Sequence, residues 1–203
     1  MTQISSPLEA FHPANALTYG SLLAGTAAIA CADNGFGAAA GGCIALAVVA
    51  DTFDGRLARV FNRSEKEREV GVQLDSLSDA IVFGFAPLVC ATLLAGEGRV
   101  WSPAMQIAWW LSIAAYAACA VTRLAFYNVT CGSRSGFIGL PVPVAALLWA
   151  TITLFAPGPG ASVAVFATTA AAMVLPLSIP RPTGLGLAAF ACWPLAVIAL
   201  SFG

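Results

Sequence analysis

Charge is scarce in this chain: only 9% of its 203 residues are Asp, Glu, Lys or Arg, where a soluble domain carries roughly a quarter. With 59% hydrophobic residues and a mean hydropathy of +0.85, that shortage excludes a soluble globular domain and leaves no basic surface for nucleic acid. Histidine is nearly missing. The single one, His12, reads as a surface residue, so a His-rich metal centre is excluded. Six cysteines contain no CxxC pair and mostly lie inside apolar runs, which makes them small buried hydrophobes and argues against a zinc site or a disulfide framework. No Lys or Arg precedes the first apolar run, so the N-terminus does not resemble a cleavable signal peptide.

What is present is a series of apolar stretches near 20 residues, the length that crosses a hydrocarbon core of ~30 Å at ~1.5 Å per residue. They predict an all-α, polytopic transmembrane helical bundle of about six to seven spans. The seven run over about 15–32, 36–59, 70–95, 101–127, 138–156, 161–179 and 184–202. The turns ADNG, GEGR and PGPG and the loops TCGSRSG and IPRPTG separate them. One integral membrane domain over 1–203 is expected, with an interfacial segment at 1–14, a core at 15–145 and C-terminal spans at 146–203 that carry no polar constellation. No soluble domain is expected to be fused to it. Trp101, Trp109 and Trp110 stand near the start of the fourth span, where interfacial anchoring is the usual role of tryptophan. Eight of the nine basic residues fall at or near alternate loops, with Arg99 the exception. By the positive-inside rule those loops, and the N-terminus, face the cytoplasm.

The few charges are also unevenly placed, since seven of the ten acids lie between residues 51 and 79. Asp51 and Asp54 are three apart and Asp75 and Asp79 four apart, so on helices each pair projects from one face. Carboxylates at the edge of a membrane span cost several kcal/mol unless paired, hydrated or bound to a cation. Hard oxygen donors suit Mg²⁺, Mn²⁺ or Ca²⁺, and two divalent ions would neutralise four carboxylates and could hold a diphosphate. The same acids would also suit a structural ion-pair network with Arg56, Arg59 and Arg63, or the cation pathway of a coupled transporter. Gly55 and Ala58 would let a ligand approach the backbone between Asp54 and Arg59, and Gly71 could do the same opposite them, though close helix crossings also use small residues.

Asp51-x2-Asp54-Gly55-x2-Ala58-Arg59 followed by Gly71-x3-Asp75-x3-Asp79 resembles the signature of the CDP-alcohol phosphatidyltransferase family. Eleven residues separate Arg59 from Gly71, a longer interval than the family usually shows, which places a short insertion in the loop. The resemblance implies a membrane enzyme of phospholipid biosynthesis with two divalent cations, Mg²⁺ or Mn²⁺, held by Asp51, Asp54, Asp75 and Asp79. It implies that Asp79 is also the base that takes the proton of an acceptor hydroxyl, which attacks the lipid-side phosphorus of CDP-diacylglycerol and releases CMP. Gly55, Ala58, Arg59 and Gly71 would line the nucleotide pocket, and Asn15-x2-Thr18 resembles an Asn/Thr element whose hydroxyl meets the nucleotide. A homodimer among membrane lipids is implied as well.

Over about residues 13–145 the similarity extends to the phosphatidylserine synthase branch. It is carried by Asn62-Arg63-Ser64, Leu74-Asp75-Ser76-Leu77-Ser78-Asp79, Phe83-Gly84-Phe85-Ala86-Pro87, Arg123-Leu124-Ala125 with Asn128, and Phe137-Ile138-Gly139-Leu140-Pro141-Val142-Pro143. Serine is therefore the implied acceptor, with glycerol phosphate, inositol phosphate or a choline compound as alternatives. Arg123 and Arg134 are the candidate acceptor-binding residues, since a guanidinium suits a carboxylate. The branch's second arginine in the fourth span is replaced here by Phe126.

Overall fold

The computed structural model describes residues 8, 11–96, 101–130, 137–179 and 185–203. A 3₁₀ turn, Pro13–Asn15, leads into α1 (Ala16–Asp33), and α2 follows at Gly37–Ala58. Helix α3 (Glu65–Asp79) runs through a π-helical segment, Ala80–Phe85, into α4 (Ala86–Ala95), which makes one continuous rod. Then come α5 (Pro103–Thr130), α6 (Val142–Thr153), α7 (Pro159–Val174) and α8 (Leu185–Phe202). The all-α expectation holds, with seven helical rods among the described residues.

The rods are not equal. Three of them, Gly37–Ala58, Glu65–Ala95 and Pro103–Thr130, are long and apolar enough to cross a membrane, so the chain is an integral membrane protein. Helix α6 has only 12 residues, about 18 Å of helix against the ~30 Å of a hydrocarbon core. The expected span at 138–156 is thus too long at both ends, and the one at 161–179 at its C-terminal end. Gly139 (φ +72°), Pro141 at the N-cap of α6 and Pro176 after α7 bound the helices, and the extended ends pair instead as β1 (Phe137–Ile138) against β2 (Ser178–Ile179). A Cβ on Gly139 would collide with the Met173 carbonyl, so only glycine fits that crossing.

Helix α2 is the centre of the bundle, contacting α1, α6 and α8. Its first half makes this possible through Gly41 and Gly42. A Cβ on Gly41 would lie 2.6 Å from the Ala150 carbonyl and run into Thr153 Oγ1, and one on Gly42 would lie 2.6 Å from Phe202 and Ser201. Small residues that admit close backbones are how helices associate in lipid, where burial from water offers no drive. The largest buried side chains include Trp149, Tyr116, Phe83 and Phe166, with Tyr116 edge-on to Phe166 at 5.2 Å. Trp109 also belongs to this core at 2% exposure and packs on Trp101 at 4.9 Å; of the three tryptophans expected at the interface, Trp110 is the one that points outward.

Candidate active site

The second half of α2 differs from the first. Beyond Val48 its residues are half-buried or exposed, and α3 does not pack on it as α1 does. What meets between α2 and α3 is the acids. Asp51, Asp54 and Asp75 bring carboxylate oxygens within 4.8 Å of one another. The contacts are crosswise: Asp54 touches Asp75, and Asp51 touches Asp79. This is the register two antiparallel helices impose, because stepping forward three residues on α2 must step back about one turn on α3. Carboxylates in contact need a cation or a proton between them, and a cluster of hard oxygen donors is suited to hold a divalent metal ion.

The arginines nearby do not supply that charge. Among the described residues none of the four carboxylates is paired with Arg56, Arg59 or Arg63. Arg56 instead lies 5.5 Å from the Phe53 ring on the exposed side of α2. Arg59 caps α2, its backbone N–H donating to the Arg56 carbonyl, and is exposed. The structural ion-pair network considered from the sequence is therefore not the arrangement found.

The remaining expected residues surround the acids in different ways. A Cβ on Gly55 would meet nothing within 4 Å, so this glycine opens onto free space, and Ala58 is half-buried one turn on. Thr18 is 5% exposed and donates its hydroxyl to Asp54 Oδ2 at 3.5 Å, the long end of such a bond. Its hydroxyl is directed at a cluster carboxylate, where the sequence had suggested the nucleotide. Ser78, also buried, donates to the Thr18 carbonyl at 3.4 Å and ties α3 to α1. Arg123 is 7% exposed, stacks over Tyr127 at 5.1 Å and feels the charge of Asp79. Arg134 lies outside the described residues.

Local structure holds these groups in place. Helix α3 starts with a capping box: Ser64 Oγ accepts from the Glu67 N–H, and the Ser64 N–H donates back to Glu67 Oε2 at 2.7 Å. Directly after Asp79 the helix widens into the π segment, and the Tyr116 hydroxyl donates to the Phe83 carbonyl there at 2.9 Å. π-Helical turns concentrate at functional sites, and here one follows the last acid. Asn128 donates to Ser76 Oγ at 2.7 Å and fastens α5 to α3 between the two acids of that helix. Sequence reading assigned no role to Tyr116, and only a tyrosine embedded in an apolar run hinted at one.

Antiparallel half-motifs that bring carboxylates together across a cleft give this membrane bundle, at one end of its helices, an acid cluster of which Asp51, Asp54 and Asp75 could hold one metal ion. The model of the CDP-alcohol phosphatidyltransferase family matches residues 11–180, and the chain belongs to that family. It is similar to a CDP-diacylglycerol–serine O-phosphatidyltransferase of Mycobacterium leprae, 34% identical over 113 residues covering 51% of this chain and 34% of the relative. A protein of the same name from Mycobacterium tuberculosis (strain H37Rv) is 32% identical over 140 residues, 66% of this chain and 46% of the relative. An archaetidylserine synthase of Methanothermobacter thermautotrophicus is 31% identical over 146 residues, 70% of this chain and 58% of the relative. The matched regions thus span between about a third and three fifths of these relatives.

Proposed function

We propose that the protein transfers a phosphatidyl group from CDP-diacylglycerol to the hydroxyl of serine and releases CMP. The observation that carries this reading is the crosswise meeting of Asp51 with Asp79 and Asp54 with Asp75, without arginine partners, in a family member. Asp51, Asp54, Asp75 and Asp79 hold two divalent cations, Mg²⁺ or Mn²⁺, which when bound neutralise the diphosphate and its leaving group. Thr18 fixes the Asp54 carboxylate through its hydroxyl. Gly55, Ala58 and Arg59 line the nucleotide, Gly55 opening onto free space, and Gly71 lines the same site from α3 with Arg63 and Asn15 over it. Asp79 takes the proton from the acceptor hydroxyl as its oxygen bonds to the lipid-side phosphorus and the bond to CMP breaks. Arg123, buried near Asp79, receives the serine carboxylate, with Arg134 of the following loop beside it. The names of the relatives above support serine over other alcohols.

The site end carries Arg56, Arg59, Arg63, Lys66, Arg68 and Arg123, so it faces the cytoplasm of a cytoplasmic membrane. Residues 15–145 form the catalytic core, 1–14 an interfacial segment and 146–203 the supporting spans of one domain that works as a homodimer. The test is an acceptor screen: purified protein with CDP-diacylglycerol, Mn²⁺ or Mg²⁺ and serine should release CMP. Release only with another alcohol removes the serine assignment. No release with any small alcohol, together with ion-dependent uptake into proteoliposomes, would replace the enzyme by a transporter.

A further inference from the structure

Gly71 and Asp75 are four residues apart on α3, which sets their Cβ positions on one face about 5–6 Å apart. The two glycines of the acid cleft differ in what lies over them. Gly55 opens onto free space, whereas Gly71 is buried and a Cβ there would stand 2.9 Å from Arg63 Nη1 and 3.2 Å from Asn15 Oδ1. The space left by the missing side chain at 71 is the seat of a guanidinium, one helical turn from a cluster acid.

Three observations say that this guanidinium is built in. Arg63 is half-buried and leaves the connection between α2 and α3 next to Ser64, whose capping box fixes the start of α3. Asn15, at 4% exposure, heads α1 three residues before Thr18, so α1 reaches the acid face twice, at Gly71 through Asn15 and at Asp54 through Thr18. Arg63 forms no salt bridge with a described residue; Glu67 feels its charge, but that carboxylate is bonded to Ser64 at 2.7 and 2.9 Å. A half-buried cation beside a cluster of cation-binding acids suits a ligand that carries two anionic groups in tandem, one for the metals and one for the arginine.

We propose that Arg63, seated on Gly71 beside Asn15, binds the diphosphate of the nucleoside-diphosphate lipid, and that Gly71 is glycine because a side chain there would take the space of the guanidinium. This rests on the phosphatidyl-transfer reading, which it deepens by adding a substrate-binding residue and giving Gly71 its reason. The atom that a methyl at 71 would meet first is the far end of a flexible side chain, so Gly71→Ala displaces the guanidinium, while the buried Asn15 Oδ1 at 3.2 Å must yield by a few tenths of an ångström.

The experiment measures CDP binding by calorimetry in the presence of Mn²⁺, alongside KM for CDP-diacylglycerol and for serine. Arg63→Ala is expected to weaken CDP binding and raise the CDP-diacylglycerol KM by about 10- to 100-fold, the scale of a charge-assisted hydrogen bond, with the serine KM and the thermal midpoint unmoved. Arg63→Lys, which keeps the charge, should recover part of the loss. Gly71→Ala should weaken CDP binding by about tenfold in the native background and by clearly less in Arg63→Ala, where only Asn15 is left to crowd the methyl. Unchanged CDP binding in Arg63→Ala and Arg63→Gln, or an equal Gly71→Ala effect in both backgrounds, overturns the proposal. If the native protein binds CDP through Arg63 but transfers to no alcohol, the transfer reading fails and the anion site stands.

Discussion

Helix α2 contains two glycine sites with opposite surroundings. In its first half Gly41 and Gly42 are pressed against α6 and α8, and a methyl group on either would run into backbone or packed side chains. In its second half Gly55 faces nothing within 4 Å, beside Asp54 and the acids of α3. The first half holds the bundle together, and the second half is open where the proposed function places a ligand. The same residue type thus reports packing in one place and access in the other, and composition along the helix does not distinguish them.

The contrast predicts that substitutions in the two halves separate activity from stability. The largest effect is expected at the cleft: Asp79→Asn should lower turnover by about 10²- to 10⁴-fold, the usual contribution of a general base, with some CDP-lipid binding retained. Unaltered turnover would remove Asp79 from its role as base. Next comes Gly41→Ala, which should destabilise the protein by about 1–3 kcal/mol through overpacking against Ala150 and Thr153, read as a lower thermal midpoint with the CDP-diacylglycerol KM unchanged. Tyr116→Phe removes the bond to the Phe83 carbonyl and should cost about 1 kcal/mol, again visible in detergent melting. Smallest is Gly55→Ala. It should stabilise α2 by roughly 0.5–1 kcal/mol, since Ala is the better helix former and the space is free, while raising the CDP-diacylglycerol KM. A stability loss at Gly55 would erase the distinction between the two halves.

Much of this was legible in the sequence because membranes leave few options. The turn at Asn34-Gly35, the apolar rod over 70–95 and the alignment of the acid pairs follow from apolar length, turn chemistry and helical spacing, whereas the polar first turns of α3, from Glu65, lie outside the expected span. The shortening of α6 and α7 was not, because their ends are apolar and hydropathy cannot tell a short extended pair, Ile138 against Ser178, from a helix end. Within the site, spacing determined which acids share a helix face but not which would touch across the cleft. That needed the antiparallel register of α2 and α3. The placement of Arg63 on Gly71 and of Tyr116 on the π segment joins residues distant in sequence or in different elements, and no local pattern encodes either contact.

The most direct test of the central claim is CMP release from CDP-diacylglycerol and serine by purified protein, first stripped of metal by a chelator and then resupplied with Mg²⁺ or Mn²⁺. Release should fall to background and return with the metal, and it should not return in Asp54→Asn or Asp75→Asn. Release that persists in the stripped protein, or that metal restores equally in those variants, would contradict the assignment of the facing acids of α2 and α3 as a metal-dependent phosphatidyl-transfer site.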